Sequence, residues 1–336
     1  MDKLQSLQFS DLQNLTHVPP QYLKPVAAVG GVWAMYQLWK LTSFTWSHFL
    51  RPNNLNKYKG GKGEPWALVT GASDGIGVGF AEELCQQGFN VVLHGRNEKK
   101  LQGVRDSLQS QWPARKLKIL ILDAAKDCDG TKLEAAVADL KAINLKVLIN
   151  NVGGGVGQPM LETFLELTPE RIDGWIDVNL RFPTQLTKQL LPQLIATQPA
   201  LIINIGSASG DVHSPWLSVY SGAKAFNRSW SRSLAVELMD AGHNIDCHAI
   251  VVGPVSTNRM KRPVNIQTPT TRNMAKASLG YAGSGKTDVA AYWGHEFMLW
   301  TFSLLPGAYA LNFVRKLSRK IMDDERKEMA EEAKKQ

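Results

Sequence analysis

From residue 65 onward, short apolar runs alternate with longer stretches of helical period. "WALVT" (66–70), the start of "FNVVLHGRNEKKL" (89–101), "LKILILD" (117–123), "LKVLINNVGGG" (145–155), "ALIINIGSASG" (200–210) and "NIDCHAIVVGPVST" (244–257) are rich in Val, Ile and Leu. They are nearly continuous rather than alternating, as strands covered on both faces should be. Helical patterns such as 98–111 and 131–143 fall between them. Strand and helix in turn predict an α/β fold with a doubly wound parallel sheet, whose ligands meet the C-terminal strand ends.

The segments flanking that core have a different character. "PVAAVGGVWAMYQLW" (25–39) is uncharged and mostly apolar, and "KLTSFTWSHFL" carries it to Leu50. Trp33, Tyr36, Trp39 and Trp46 suit interfacial anchoring, so a membrane anchor is expected over about 25–50. Its uncharged part is shorter than the roughly 20 residues of a comfortable span, which leaves a buried core helix as the alternative. Five Lys/Arg residues lie between Lys40 and Lys62, against Lys3 and Lys24 before the run. That bias places the following domain on the cytosolic side. "RPNNLNKYKGGKGEP" (51–65) reads as a polar linker.

The chain has 336 residues, 44% hydrophobic and 20% charged, enough for one large domain with terminal segments. Its three cysteines have no ligand spacing, so neither a disulfide scaffold nor a metal site is expected. A net charge of +8 calls for an anionic neighbour. No Arg-rich run is interleaved with aromatics, so a membrane surface or phosphorylated substrate is favoured over nucleic acid.

"GASDGIG" (71–77) joins the first strand directly to a helix. Glycines at 71, 75 and 77 permit a tight turn and close backbone approach to a pyrophosphate at the helix N-terminus. Gly71, Ser73, Asp74, Gly75, Ile76 and Gly77 are therefore assigned to a dinucleotide. After the second strand "HGRN" lacks the acidic residue that would bind a ribose hydroxyl. Arg96, with Ser73, instead suits a 2′-phosphate, which points to NADP(H). Asp123 is expected at the adenine edge, and Asn151 beside the crevice.

"VYSGAKAF" (219–226) places Tyr220 and Lys224 four apart on one helix face. Alone, such a pair is a weak signal and reads first as two polar residues on a wet surface. Its neighbours decide the matter: "TGASDGIG", "NNVG", Asn179, Ser207 and Tyr220-x-x-x-Lys224 follow in order. Together they resemble the short-chain dehydrogenase/reductase family, with a Rossmann-type core over roughly 65–260. The resemblance makes Asn179, Ser207, Tyr220 and Lys224 catalytic. Tyr220 is the acid/base, and a nearby Lys224 ammonium is expected to lower its pKa and to hold the nicotinamide ribose. Ser207 is expected to stabilise the developing oxyanion, and Asn179 to hold a water linking Lys224 to solvent. "VVGPVST" carries its proline one place later than the family pattern, with Val255 and Thr257 still suited to the nicotinamide amide.

Within that family, "NNVG", the 294–316 region and the charged tail (321–336) are similar to a microsomal branch. That branch contains 17β-hydroxysteroid dehydrogenases and very-long-chain 3-oxoacyl-CoA reductases. It implies a hydrophobic ketone substrate, either a 3-oxoacyl-CoA or a steroid-like one, at the endoplasmic reticulum membrane. Arg259, Lys261, Arg262 and Arg272 lie in the basic loop 258–273, where a substrate lid is expected at the border of the 261–320 segment, either as CoA phosphate ligands or as solvated charges. "YWGHEFMLWTFSLLPGAYAL" (292–311) is a poor span and is expected to line a tunnel, lie in the membrane interface or pack a homodimer. Lys334 and Lys335 resemble a dilysine signal.

Overall fold

The computed structural model describes residues 20–333 apart from 129, 155, 156, 158 and 213. Lys334 and Lys335 thus lie outside the described residues, as do the first nineteen of the N-terminal segment. The chain falls into two units, 1–51 and 52–336.

In the first unit, helix α1 (Pro20–Thr45) ends in a wide turn over Trp46–Leu50. Its apolar side chains are exposed all round, Val29 at 71% and Trp33 at 64% among them. Lys24, Gln37, Lys40 and the hydroxyls of Thr42, Ser43 and Thr45 dilute the run. The Thr42 and Thr45 hydroxyls each donate to a carbonyl one turn back, at 2.9 Å. Among the described residues, no helix is long and apolar enough to cross a membrane. The spanning anchor expected over about 25–50 is therefore not confirmed.

The second unit begins with a short turn over Leu55–Lys59. The 51–64 stretch is not a solvated linker, because Leu55 and Tyr58 are buried at 1% and 0% exposure. Lys57 pairs with Asp246 at 2.9 Å, and the Tyr58 hydroxyl donates to the same carboxylate. Beyond it come β1 (Pro65–Val69), α2 (Gly75–Gln86), β2 (Asn90–Gly95), α3 (Glu98–Gln111), β3 (Leu117–Ile121), α4 (Thr131–Ala138) and β4 (Asn144–Asn150). The chain continues through α5 (Pro169–Ile176), α6 (Phe182–Ala196), β5 (Ala200–Ile205), α7 (Ser218–Asp240), β6 (Ile245–Ile250) and α8 (Thr271–Gly280). It closes with a short β7 (Asp288–Val289), α9 (Trp293–Ser303) and α10 (Gly307–Ala333).

The seven strands are all parallel, in the order β3-β2-β1-β4-β5-β6-β7. The two-residue pleat sends Ala67 and Val69 to one face and Trp66 and Leu68 to the other. Phe80, Leu101 and Leu279 cover the first face, while Leu133, Leu186 and Leu238 cover the second. With both faces buried, β1, β2, β4, β5 and β6 carry nearly continuous apolar runs, which is why they were legible, while the edge strand β3 is partly exposed. The order reverses between β1 and β4, so their C-terminal ends open the crevice where a doubly wound sheet binds ligands.

The 292–311 stretch is not one helix. Pro306 cannot continue α9, and the chain turns over Leu304–Pro306 before restarting as α10. α10 runs on into the segment read as a charged tail, as far as Ala333.

Candidate active site

The glycine turn is held by its neighbours on both sides. Gly71 and Gly75 have φ of +67° and +61°, a region where a Cβ costs energy. A Cβ on Gly77 would lie 2.1 Å from the Gly71 carbonyl oxygen, so the backbone there passes closer than any side chain allows. From β4, Asn151 Nδ2 donates to Thr70 O at 2.9 Å, and the Asn151 and Val152 amides donate to Thr70 Oγ1. Asn151 thus shapes the cradle, whereas Asn150 turns into the core toward Thr187 and Asn204. Asp74 caps α2 by accepting from Gly75 N at 2.7 Å, and also accepts from Asn258 at 2.9 Å. That second bond ties the glycine turn to the loop after β6.

Two clefts flank this turn. One, of about 340 Å³, is lined by Ser73, Lys100 and Asn258 among others. Arg96 is exposed at the end of β2. Ser73 and Lys100 share the cleft, and Arg96 lies four residues before Lys100, so this side suits a 2′-phosphate. Lys100 was missed in the sequence, although its place in the first turn after the Asn97 cap marks it. The other cleft, of about 570 Å³, is lined by Gly75, Thr257, Lys261 and Arg262. Ile76 is partly buried against the core. Asp123 is half-buried after β3 and spends one oxygen on Ala125 N. The positive-φ glycines, the open helix N-terminus and the flanking cations fit a dinucleotide phosphate chain.

The four residues expected to be catalytic converge at the ends of β4 and β5. Lys224 is 4% exposed, and its ammonium donates to Ile205 O at 2.9 Å. Asn179, fully buried, sits in a wide helical turn over Asp177–Arg181, a distortion common at functional positions. Its amide donates to Trp175 O and Gly154 O and accepts from Gly154 N. A Cβ on Gly153 would lie 2.9 Å from Lys224 Nζ and 3.0 Å from Asn179 Oδ1, so both polar groups border Gly153. Ser207 caps the short turn over Ala208–Gly210, and its Oγ accepts from Ser209 N and Ser209 Oγ. The Tyr220 phenol faces the Ser207 hydroxyl, and its ring meets Trp175 edge-on at 6.0 Å.

Electrostatics here differ from expectation. Burial pushes the Tyr220 phenol above its usual pKa, while the Ser207 hydroxyl and the Arg259 guanidinium draw it part of the way back. Lys224 is not among the causes. Its Nζ lies 5.6 Å from the Tyr220 ring centre, and burial brings its own pKa down to about 8. The phenol therefore rests in its protonated, proton-donating form. Arg259 reaches the site mouth, with Nη1 3.7 Å from where a Gly154 Cβ would sit. Arg272 does not join it, because it faces Glu83 and Gln86 on α2 and lies over the Trp112 ring.

The turn after β6 brings Val255, 5% exposed, and Thr257 beside the glycine turn, with Thr257 Cγ2 3.7 Å from a Cβ on Gly75. The displaced proline is accommodated by a residue the sequence did not reveal. His295 on α9 is fully buried, its Nδ1 accepts from Gly253 N at 3.1 Å, and its Nε2 donates to Pro254 O at 3.0 Å. This pairing selects the neutral ring, and burial lowers its pKa accordingly.

A Rossmann-type sheet with Asn, Ser, Tyr and Lys at its strand ends defines a class of ketone and alcohol oxidoreductases. Residues 65–267 match the short chain dehydrogenase family, so the chain belongs to it and is an oxidoreductase acting at CH–OH and C=O groups. It is 32% identical to a very-long-chain 3-oxoacyl-CoA reductase of Neurospora crassa, covering 92% of this chain and 95% of the relative. Against a protein of the same description from Podospora anserina the identity is 33%, covering 96% and 95%. Among solved structures, a short-chain dehydrogenase from Sphingobium yanoikuyae in complex with NADPH is 25% identical. That similarity has a TM-score of 0.58 and covers 71% of this chain and 95% of the other.

Proposed function

We propose that the protein reduces the 3-keto group of a long-chain 3-oxoacyl-CoA with NADPH, at the cytosolic face of the endoplasmic reticulum membrane. The observation that carries this reading is similarity over more than nine-tenths of the chain to proteins described as such reductases. The catalytic residues are common to the wider family. A match that continues past residue 267 through the lid and α9–α10 is more selective.

Reduction needs a hydride on carbon and a proton on oxygen. NADPH, held by the glycine turn and the flanking cations, would supply the hydride. Tyr220 donates its proton to the carbonyl oxygen, and its raised pKa keeps that proton in place at neutral pH. Ser207, which faces the same phenol, donates toward the oxygen as negative charge grows there. Lys224 supplies the cation behind them and, with Asn179 also bordering Gly153, the route by which Tyr220 regains a proton. Arg96, Ser73 and Lys100 select the 2′-phosphate of NADP(H). Arg259 at the mouth, with Lys261 and Arg262 beside it, suits the phosphates of CoA.

The test is NADPH oxidation by the full chain with 3-oxoacyl-CoA esters of rising length, beside a 17-ketosteroid. Turnover that rises with acyl length supports the reading. Turnover of the steroid alone replaces it with a hydroxysteroid dehydrogenase.

A further inference from the structure

The turn between α9 and α10 carries a dense set of large exposed apolar side chains. Trp300, Leu304, Leu305, Tyr309, Phe313 and Leu317 are 43%, 64%, 45%, 71%, 54% and 46% exposed. The opposite side of α10 is already packed, with Val314, Ser318 and Met322 buried. The outward face is therefore not a core face awaiting a partner within the domain. Clustered exposure of this kind marks an interaction surface.

Charge identifies the partner. No acidic residue occurs between Glu296 and Asp323, while Arg315, Lys316, Arg319 and Lys320 follow the apolar turn on exposed positions. Acidic residues return only beyond, at Asp323, Asp324 and Glu325. The order is an apolar and aromatic tip, then a collar of one sign, then mixed charge. That order suits a helical hairpin lowered tip first into a bilayer, with its cations at the lipid phosphates. A second copy of this chain would bring the same positive collar against itself.

We propose that the α9–α10 turn inserts into the headgroup region of an anionic lipid bilayer, as a membrane contact of the catalytic unit itself. The hairpin is tied to the catalytic unit at both ends, and its α9 end reaches the turn that carries Val255 and Thr257. His295 in the first turn of α9 holds Gly253 and Pro254, and Glu325 on α10 accepts from the Met160 and Leu161 amides. Leu304 lies nine residues after His295, about 13 Å along the helix axis. Docking therefore brings the site within reach of lipid-dissolved substrates. This consequence rests on the reductase reading, whereas the docking does not.

The test uses the full chain with Leu305→Cys carrying an environment-sensitive fluorophore, reconstituted in phosphatidylcholine vesicles with a minority of phosphatidylserine. Lipids bearing a quencher in the acyl chain should quench this label strongly and leave a label at Glu328→Cys unaffected. Arg319→Gln with Lys320→Gln should raise the anionic lipid needed for quenching by roughly fivefold per charge removed. Equal quenching at 305 and 328 would overturn the proposal. So would label-to-label energy transfer at 305 that persists without vesicles, since a second copy would then cover the tip. Neither readout involves turnover, so failure here and failure of the reductase reading are distinguishable.

Discussion

The floor of the site and its rim are built on opposite principles. On the floor, Thr70, Asn151, Asn179 and Lys224 each spend polar atoms on backbone carbonyls or amides, so their positions are set by the fold. On the rim, Arg96, Arg259 and the side chains of the α9–α10 turn are exposed. The floor carries chemistry common to a large family, and the rim carries what distinguishes this member. Substitutions on the floor should thus strike turnover, and those on the rim should strike selectivity.

The largest effect should come from Tyr220→Phe, which removes the proton donor and leaves the ring. Turnover should fall by about 10²–10⁴-fold while NADPH affinity, read by fluorescence titration, changes little. A parallel loss of both would mean that the floor is merely a binding surface. The pH profile sharpens the same point. Lys224 is a cation whose pKa is lowered to about 8, so it is charged below that value and neutral above it. kcat/KM for reduction should fall as pH rises through about 8, and Lys224→Met should erase that limb along with most activity.

On the rim, Arg96→Ala should cut the preference for NADPH over NADH by roughly tenfold or more, read as the ratio of kcat/KM values. Arg259→Ala should raise KM for an acyl-CoA several-fold, whereas Arg272→Ala, committed to Glu83 and Gln86, should change it by less than about twofold. His295 joins the two regions. His295→Asn should lower kcat more than it alters the KM for the ketone, because it frees the turn that carries Val255 and Thr257.

Much of the floor was legible in the sequence. Glycines at 71, 75 and 77 reflect backbone approach, and Tyr220 and Lys224 reflect helical period. Both are local rules that survive folding. What escaped depends on contacts distant in sequence. Lys100 lines one cleft with Ser73 across α2 and α3, Arg272 turns toward α2, and His295 meets Gly253 across a separation of 42 positions. The direction of the Tyr220 pKa was misread because spacing shows adjacency to Lys224 but not how deeply both are buried. The linker reading failed on Leu55 and Tyr58, two residues in a polar stretch whose burial no local pattern announces.

The most direct test follows the atoms. Supplied with a long-chain 3-oxoacyl-CoA and NADPH deuterated at the transferable position, the protein should yield a 3-hydroxyacyl-CoA carrying one deuterium at C3, and Tyr220→Phe should yield almost none. Deuterium that appears only in the 17-hydroxysteroid when a 17-ketosteroid is offered alongside, or in no product at all, would contradict the account.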